Sequence, residues 1–298
     1  MRPVSLFIVG GPKTGTSSLA RYLGDRPDIC LSNPKEPHFF LGDLNSYRQV
    51  TSLDGYHSCF SWDAEIKLDA STWYLYSETA VDNILKYNPQ SKFIVMVRHP
   101  VDMAVSLYYQ FKYGFEEDAK TFEEAWALQS ERIMGNKIPK NIVEPLRLQY
   151  KDVCSLGWQV SRILSKVSKE RIHFILFDDF VSDTRAVYKD TLDFIGCKDD
   201  GRNEFPVENS VKIFKHPSLM RFLRVNAGVN TAVSVFKGLL GVKELGFNKK
   251  IEKMALDKTP RKVVSKQFKS FIIKEFQDDM YLLESLLGKS LDHWRNKY

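Results

Sequence analysis

The stretch GGPKTGTSSL, residues 10–19, holds three glycines, one lysine and four hydroxyl side chains within ten positions. Glycines let a backbone turn tightly, so that successive N–H groups face inward and receive an anion. Gly10, Gly11 and Gly15 with Pro12 supply such a turn. Thr14, Thr16, Ser17 and Ser18 add hydroxyl donors, and Lys13 adds a full positive charge. A helix cap alone needs only one such hydroxyl, accepting from a backbone N–H, so the density here predicts a phosphate site. The loop that binds nucleoside triphosphates reads G-x-x-x-x-G-K-[ST]. Gly10, Gly15 and Ser17 fit that spacing, but Thr16 stands where the lysine belongs, and the lysine comes three residues early.

Two further groups have chemistry to offer. Arg98 directly follows the apolar run KFIVMV (92–97), and Ser106 lies eight residues on. A cation at a strand end suits a second anionic group better than a metal, which wants an acid there. Asp178-Asp179 at the end of HFILF (173–177) keeps a Mg-nucleotide site open; the simplest expectation for that pair is a helix N-cap. Glu36 sits in NPKEPHFF (33–40) between two prolines and beside aromatics, where partial desolvation is expected to raise its pKa. His38, with an ordinary pKa near 6.5, is the alternative base.

The elements that must position these residues follow from their patterning. VSLFIV (4–9), KFIVMV (92–97) and HFILF (173–177) are apolar without alternation, which predicts strands buried on both faces of a parallel sheet. KLDA (67–70) is a fourth, shorter candidate. Helices are expected over 16–23, stopped by Asp25-Arg26-Pro27, over 101–115 with Pro100 in the first turn, and over 188–195 before Gly196. Longer helical patterns lie near 155–168, 217–226 and 263–287. Strands alternating with helices predict an α/β fold with a central parallel sheet flanked by helices. No linker or repeat divides the chain, so a single domain over 1–298 is expected.

Composition sets limits on function. The 298 residues are 43% hydrophobic and 27% charged, as in ordinary globular proteins. A net charge of +6 fits an anionic ligand but is too small to indicate nucleic acid. Cys30, Cys59, Cys154 and Cys197 form no C-x-x-C pair, so no zinc or redox centre is expected and a reducing compartment is. No apolar stretch reaches 18 residues, and Met1-Arg2-Pro3 leads straight into the first strand. The expectation is a cytoplasmic protein, or a soluble domain of a longer one, without integral membrane contact.

PKTGTSSL (12–19), NPKEPHFF (33–40) and VRHPVDMAVSLYYQF (97–111) together resemble the sulfotransferases that use 3′-phosphoadenosine 5′-phosphosulfate (PAPS). The chain is most similar to the branch of heparan sulfate 3-O- and N-sulfotransferases and many bacterial sulfotransferases. DASTWYL (69–75), IHFILFDDFVSD (172–183) and LLESLLGKSLDHW (282–294) extend the likeness over most of the chain. The resemblance implies a P-loop-like sulfotransferase fold, PAPS as co-substrate, 3′,5′-adenosine bisphosphate (PAP) as product and no required metal. It implies that the loop with Lys13 grips the 5′-phosphosulfate, that Arg98 and Ser106 grip the 3′-phosphate, and that Glu36 is the catalytic base. The acceptor it implies carries a hydroxyl; acidic and carbohydrate compounds both fit, and the oligomeric state is open. One departure stands out. The heparan enzymes carry a lysine in the E-K-[ST] stretch matching DASTWYL, where this chain has Ala70, which leaves a role near the sulfate for Lys35 or another basic group; pairing with Glu36 is the alternative for Lys35.

From Lys237 to Lys269 there are ten Lys and Arg against Glu244, Glu252 and Asp257. The stretch reads either as a solvated charged face or as a lid over the nucleotide, with Arg261 or Lys262 near the 3′-phosphate. YYQFKYGF (108–115), Trp73 and Tyr74 suit either core or the acceptor cleft. Two competing functions remain at this point: a kinase with a degenerate loop, which needs Mg²⁺, and a silent nucleotide-binding protein, which binds PAP without turnover.

Overall fold

The structure, a computed structural model, describes residues 2–206 and 264–298. Five parallel strands form one sheet: β1 (Leu6–Gly10), β2 (Ile29–Leu31), β3 (Ile66–Asp69), β4 (Lys92–Val97) and β5 (Ile172–Leu176). Their order is β2-β3-β1-β4-β5. The strands lack polar alternation because both faces are covered. Phe7, Val9, Phe93, Val95 and Val97 belong to one core cluster, while Leu6, Ile8, Ile94, Met96 and Ile175 belong to the other. Leu107, Ile163 and Leu283 bring the helices Pro100–Gly114, Leu156–Leu164 and Gln277–Leu287 onto the first face. Leu19, Leu23 and Leu192 bring Thr16–Gly24 and Thr184–Ile195 onto the second. Each wholly buried aliphatic or aromatic side chain contributes about 1.5–3 kcal/mol, so the two clusters supply most of the drive to fold.

Within the described residues the expected strands and helices are present, with differences that have local causes. β2 escapes the sequence pattern because it is three residues long and follows Pro27 almost at once. The helix expected from 188 begins at Thr184, because the Asp183 carboxylate accepts from the Ala186 N–H at 2.9 Å. Gly196, at φ 84°, ends it as expected. The pattern expected over 263–287 is two helices, Lys266–Lys274 and Gln277–Leu287, divided where the buried Phe276 leaves helical backbone. Asp178 and Asp179 do not cap a helix. They lie within the first turn of Phe177–Ser182, and their partners come from far along the chain. The helix pattern at 217–226, most of the basic stretch and both Arg261 and Lys262 lie outside the described residues.

From β1 the chain runs to β2 and β3 on one side of the sheet, then crosses to β4 and β5 on the other. The crevice beyond the carboxyl ends of the strands at such a reversal is where open α/β sheets bind ligands. Among the described residues no helix is long and apolar enough to cross a membrane.

Candidate active site

The loop after β1 is built by its glycines and held by one hydroxyl. Gly10 has φ 150°, and a Cβ there would stand 2.6 Å from the Thr72 carbonyl oxygen. The Gly11 N–H donates to the Met96 carbonyl at 2.8 Å, which ties the loop to β4. Thr14, wholly buried, donates its hydroxyl to the Gly11 carbonyl at 2.6 Å. Thr14 and Gly11 therefore shape the loop from behind and do not line the cleft beyond it. Thr14→Val keeps the volume and removes that bond, leaving a buried carbonyl unpaired. The expected loss is about 1–3 kcal/mol of stability, read by chemical denaturation, together with weaker binding of any ligand the loop holds. Gly15 precedes Thr16–Gly24 in left-handed conformation, φ 94°, with Phe177 packed where a Cβ would be. No side chain caps that helix, so its first N–H groups and the positive end of its dipole serve the cleft.

A cleft of about 430 Å³ opens there, lined on this side by Pro12, Lys13, Gly15, Thr16, Ser17 and Ser18. Arg98, beyond the end of β4, lines it too. Its Nη1 donates to the Lys13 carbonyl at 2.7 Å, and its guanidinium lies 4.4 Å from the centre of the Phe177 ring. Ser106 reaches the same cleft from the helix Pro100–Gly114. The structure thus brings together the loop, the strand-end cation and the helix hydroxyl.

Glu36 lines the cleft as well, with a quarter of its side chain exposed. Its Oε1 lies 2.5 Å from Lys35 Nζ, and its Oε2 lies 3.2 Å from His38 Nε2. Thr72 donates its hydroxyl to Oε2 at 3.1 Å. The expectation of a raised pKa is overturned. Burial does push the carboxyl up, but the charges of Lys35 and His38 and their hydrogen bonding outweigh it and hold Glu36 at about 2. Lys35 also donates to the Ala70 carbonyl at 3.3 Å, so it stands between the carboxylate and the segment DASTWYL. His38 is wholly buried and does not line the cleft. Its backbone N–H donates to Ser71 Oγ and its ring lies 4.8 Å from that of Tyr47, so it buttresses Glu36 from within the protein.

One carboxylate fixes that wall. Asp69, at the end of β3 and wholly buried, accepts from the Ser71 N–H and hydroxyl at 3.0 and 2.6 Å. It also accepts from the Tyr56 and Tyr74 hydroxyls, each at 3.0 Å. The turn so formed carries Thr72 to Glu36. Trp73 is almost wholly buried, with only an edge at the cleft, while Tyr74 is a core residue.

Residues 3–230 match the sulfotransferase domain family. The chain belongs to that family. It is 31% identical over 118 residues to heparan sulfate glucosamine 3-O-sulfotransferase 5 of Mus musculus, covering 39% of this chain and 33% of the relative. It is 34% identical over 106 residues to heparan sulfate glucosamine 3-O-sulfotransferase 6 of Homo sapiens, covering 35% and 29%. The chain thus matches about a third of the length of these curated relatives. A crystal structure of a sulfotransferase from Alicyclobacillus acidocaldarius shares the fold over 99% of this chain and 100% of that one, with a TM-score of 0.71 and 24% identity.

Some residues of this sulfotransferase domain's cleft escape a reading of motifs. Gln110 lies one helical turn beyond Ser106, and Tyr22 one turn beyond Ser18; both line the cleft, and the i, i+4 spacing carries that signal. Phe177, Phe180 and Val181 line it from the helix Phe177–Ser182, and Thr184 from the start of the next helix. Tyr47, from a segment without helical or strand pattern, closes the side near Glu36. Behind it the buried Arg147 guanidinium lies 3.8 Å from the Tyr47 ring centre and 4.9 Å from those of Trp73 and Phe111, paired with Glu116 at 3.1 Å. Nothing in the local sequence around Arg147 signals that cage.

Proposed function

We propose that this protein is a PAPS-dependent sulfotransferase that sulfates an acceptor hydroxyl, with Glu36 as general base. The observation that carries the reading is the convergence of Lys13, Arg98, Ser106 and Glu36 on one cleft. The donor set fits the co-substrate. A glycine-rich turn, an uncapped helix N-terminus and Lys13 suit a 5′-phosphate, and Arg98 with Ser106 suits a second phosphate at 3′. PAPS supplies the sulfuryl group when bound.

The chain's own residues do the rest. Lys13 and the loop N–H groups neutralise negative charge at the 5′ end. Arg98, tied to the Lys13 carbonyl, links the two phosphate grips mechanically. Phe177, Phe180, Tyr22 and Phe205 offer aromatic surface for the purine on the same side. Glu36 removes the acceptor proton, and Thr72 aims its Oε2. The Glu36 side of the cleft is where the acceptor enters, between Tyr47, Trp73 and Gln110. A carbohydrate hydroxyl fits the names of the mouse and human relatives, and a small alcohol fits the same chemistry. The buried and half-buried free thiols suit a cytoplasmic setting.

Thermal unfolding with added ligand tests the donor assignment. PAP without metal is expected to stabilise the protein by about 2.7 kcal/mol at 100 times Kd. Mg-ATP is expected to do little. Stabilisation by Mg-ATP with no response to PAP sinks the reading and favours a kinase.

A further inference from the structure

Arg98 is bounded on two sides by residues that the segment Asp292–Tyr298 holds in place. The residue after Arg98 is His99, wholly buried. Its Nδ1 accepts from the Asp102 N–H at 3.4 Å, so the ring proton is on Nε2, which donates to the Trp294 carbonyl at 3.1 Å. That arrangement requires a neutral ring, and burial accordingly lowers the His99 pKa to about 4. On the other side of the cation stands Phe177, and the next residue is Asp178. Its carboxylate accepts from Trp294 Nε1 at 2.6 Å and lies 3.3 Å from His293 Nε2. Asp102, one turn into the helix that carries Ser106, is held by Lys297 at 2.6 Å and by the Tyr298 hydroxyl. The Tyr298 ring stacks edge-on to His99 at 5.4 Å, and its phenol lies within the field of the Arg98 charge. Five contacts from Trp294, Lys297 and Tyr298 thus converge on His99, next to Arg98, on Asp102, one turn from Ser106, and on Asp178, next to the ring under Arg98.

We propose that Trp294, Lys297 and Tyr298 form a clamp that positions Arg98 and Phe177 for the 3′-phosphate of the co-substrate. The inference rests on the PAPS reading above and goes beyond it, since none of the three lines the cleft. The physical reason is specific. A guanidinium gives strong bidentate contacts only when its plane is fixed. Arg98 donates to the Lys13 carbonyl and lies over the Phe177 ring, so its own backbone and that ring both set the plane of its guanidinium. The clamp fixes both. It acts on binding of the nucleotide and not on proton removal by Glu36, which sits across the cleft.

A double-mutant cycle on the full chain tests this, with PAP as the probe and its affinity measured by calorimetric titration. Tyr298→Phe is expected to weaken PAP about three- to ten-fold, the range of one lost hydrogen bond to a charged partner. In an Arg98→Ala background the same substitution is expected to change PAP affinity less than two-fold, because the cation it positions is gone. Lys297→Met, at a half-exposed residue, is expected to follow the same pattern more weakly and serves if Tyr298→Phe fails to fold. Equal losses in both backgrounds identify a merely structural role and overturn the proposal. So does unchanged affinity in the wild-type background. If the wild-type protein does not bind PAP at all, the donor reading fails first and the clamp falls with it, which keeps the two failures apart.

Discussion

Glu36→Gln is expected to lower sulfate transfer about 10²–10⁴-fold, the usual worth of a general base, while PAP still stabilises the protein as in the wild type. Glutamine keeps the shape and the bond from Thr72 but cannot take a proton. The pH dependence carries more information. With its carboxyl held at about 2, Glu36 in the free enzyme is ionised at every ordinary pH. The acidic limb of kcat/KM, which reports the free enzyme, is therefore not set by Glu36 above about pH 4. A carboxylate that acid is also a weak base, and relieving the Lys35 contact strengthens it, because burial by itself acts upward. Lys35→Met is accordingly expected to move the acidic limb to higher pH. A wild-type kcat/KM limb near pH 6 that Glu36→Gln abolishes contradicts this account.

The same depressed pKa has a stability consequence with a definite sign. Glu36 is lowered from an ordinary 4.5 to about 2, so its contribution is fully present above about pH 4.5 and is lost as pH falls towards 2. The stability difference between wild type and Glu36→Gln is expected to shrink over that window and to stay constant above it. Denaturant titrations at pH 3, 5 and 7 measure it.

The largest stability effect is expected at Arg132, away from the cleft. Its guanidinium makes two bonds to Glu117, Nη1 to Oε2 at 2.7 Å and Nη2 to Oε1 at 2.6 Å, and neither side chain is exposed. Tyr150 donates to the same carboxylate at 2.7 Å and the Ala119 N–H at 2.8 Å. Burial pushes the Glu117 carboxyl up, but Arg132 and these donors hold it below the usual range. Arg132→Met leaves a buried charge without its counterion and is expected to cost about 3–5 kcal/mol. Adding Glu117→Gln removes that stranded charge and is expected to restore part of the loss. If the single variant unfolds at the wild-type denaturant concentration, the pair is not structural.

What the sequence made legible was local. The phosphate loop is ten contiguous residues, and the apolar strands are read from their own composition, so both appear where expected. Ser106 is singled out by its distance from Arg98 and by the family resemblance, and helix periodicity from it points on to Gln110. The pKa of Glu36 was not legible, although Lys35 is its neighbour in the chain. Adjacent side chains diverge in most backbones, and the pairing needs the turn that also brings Thr72 across from β3. Asp178 and Asp179 read as a cap because their partners, Trp294 and Lys289, lie more than a hundred residues away. The Arg147 cage is illegible for a similar reason: its three aromatic neighbours, Tyr47, Trp73 and Phe111, come from three separate segments.

The Asp69 carboxylate ties together two parts of the chain that are separate in sequence. Tyr56 reaches it from within 43–63, the segment that also gives Tyr47 to the proposed acceptor side of the cleft, while Ser71 and Tyr74 belong to the turn that carries Thr72 to Glu36. In the proposed function, acceptor recognition and proton removal therefore share one foundation. An exchange of 43–63 between relatives, made to alter which alcohol is chosen, carries a hidden linkage: a graft lacking the Tyr56 hydroxyl strips one of four donors from a buried anion and loosens the ground under Thr72. A graft that keeps it leaves the catalytic half of the wall untouched. Acceptor range in this scaffold is modular only as far as that single phenol is inherited with the loop.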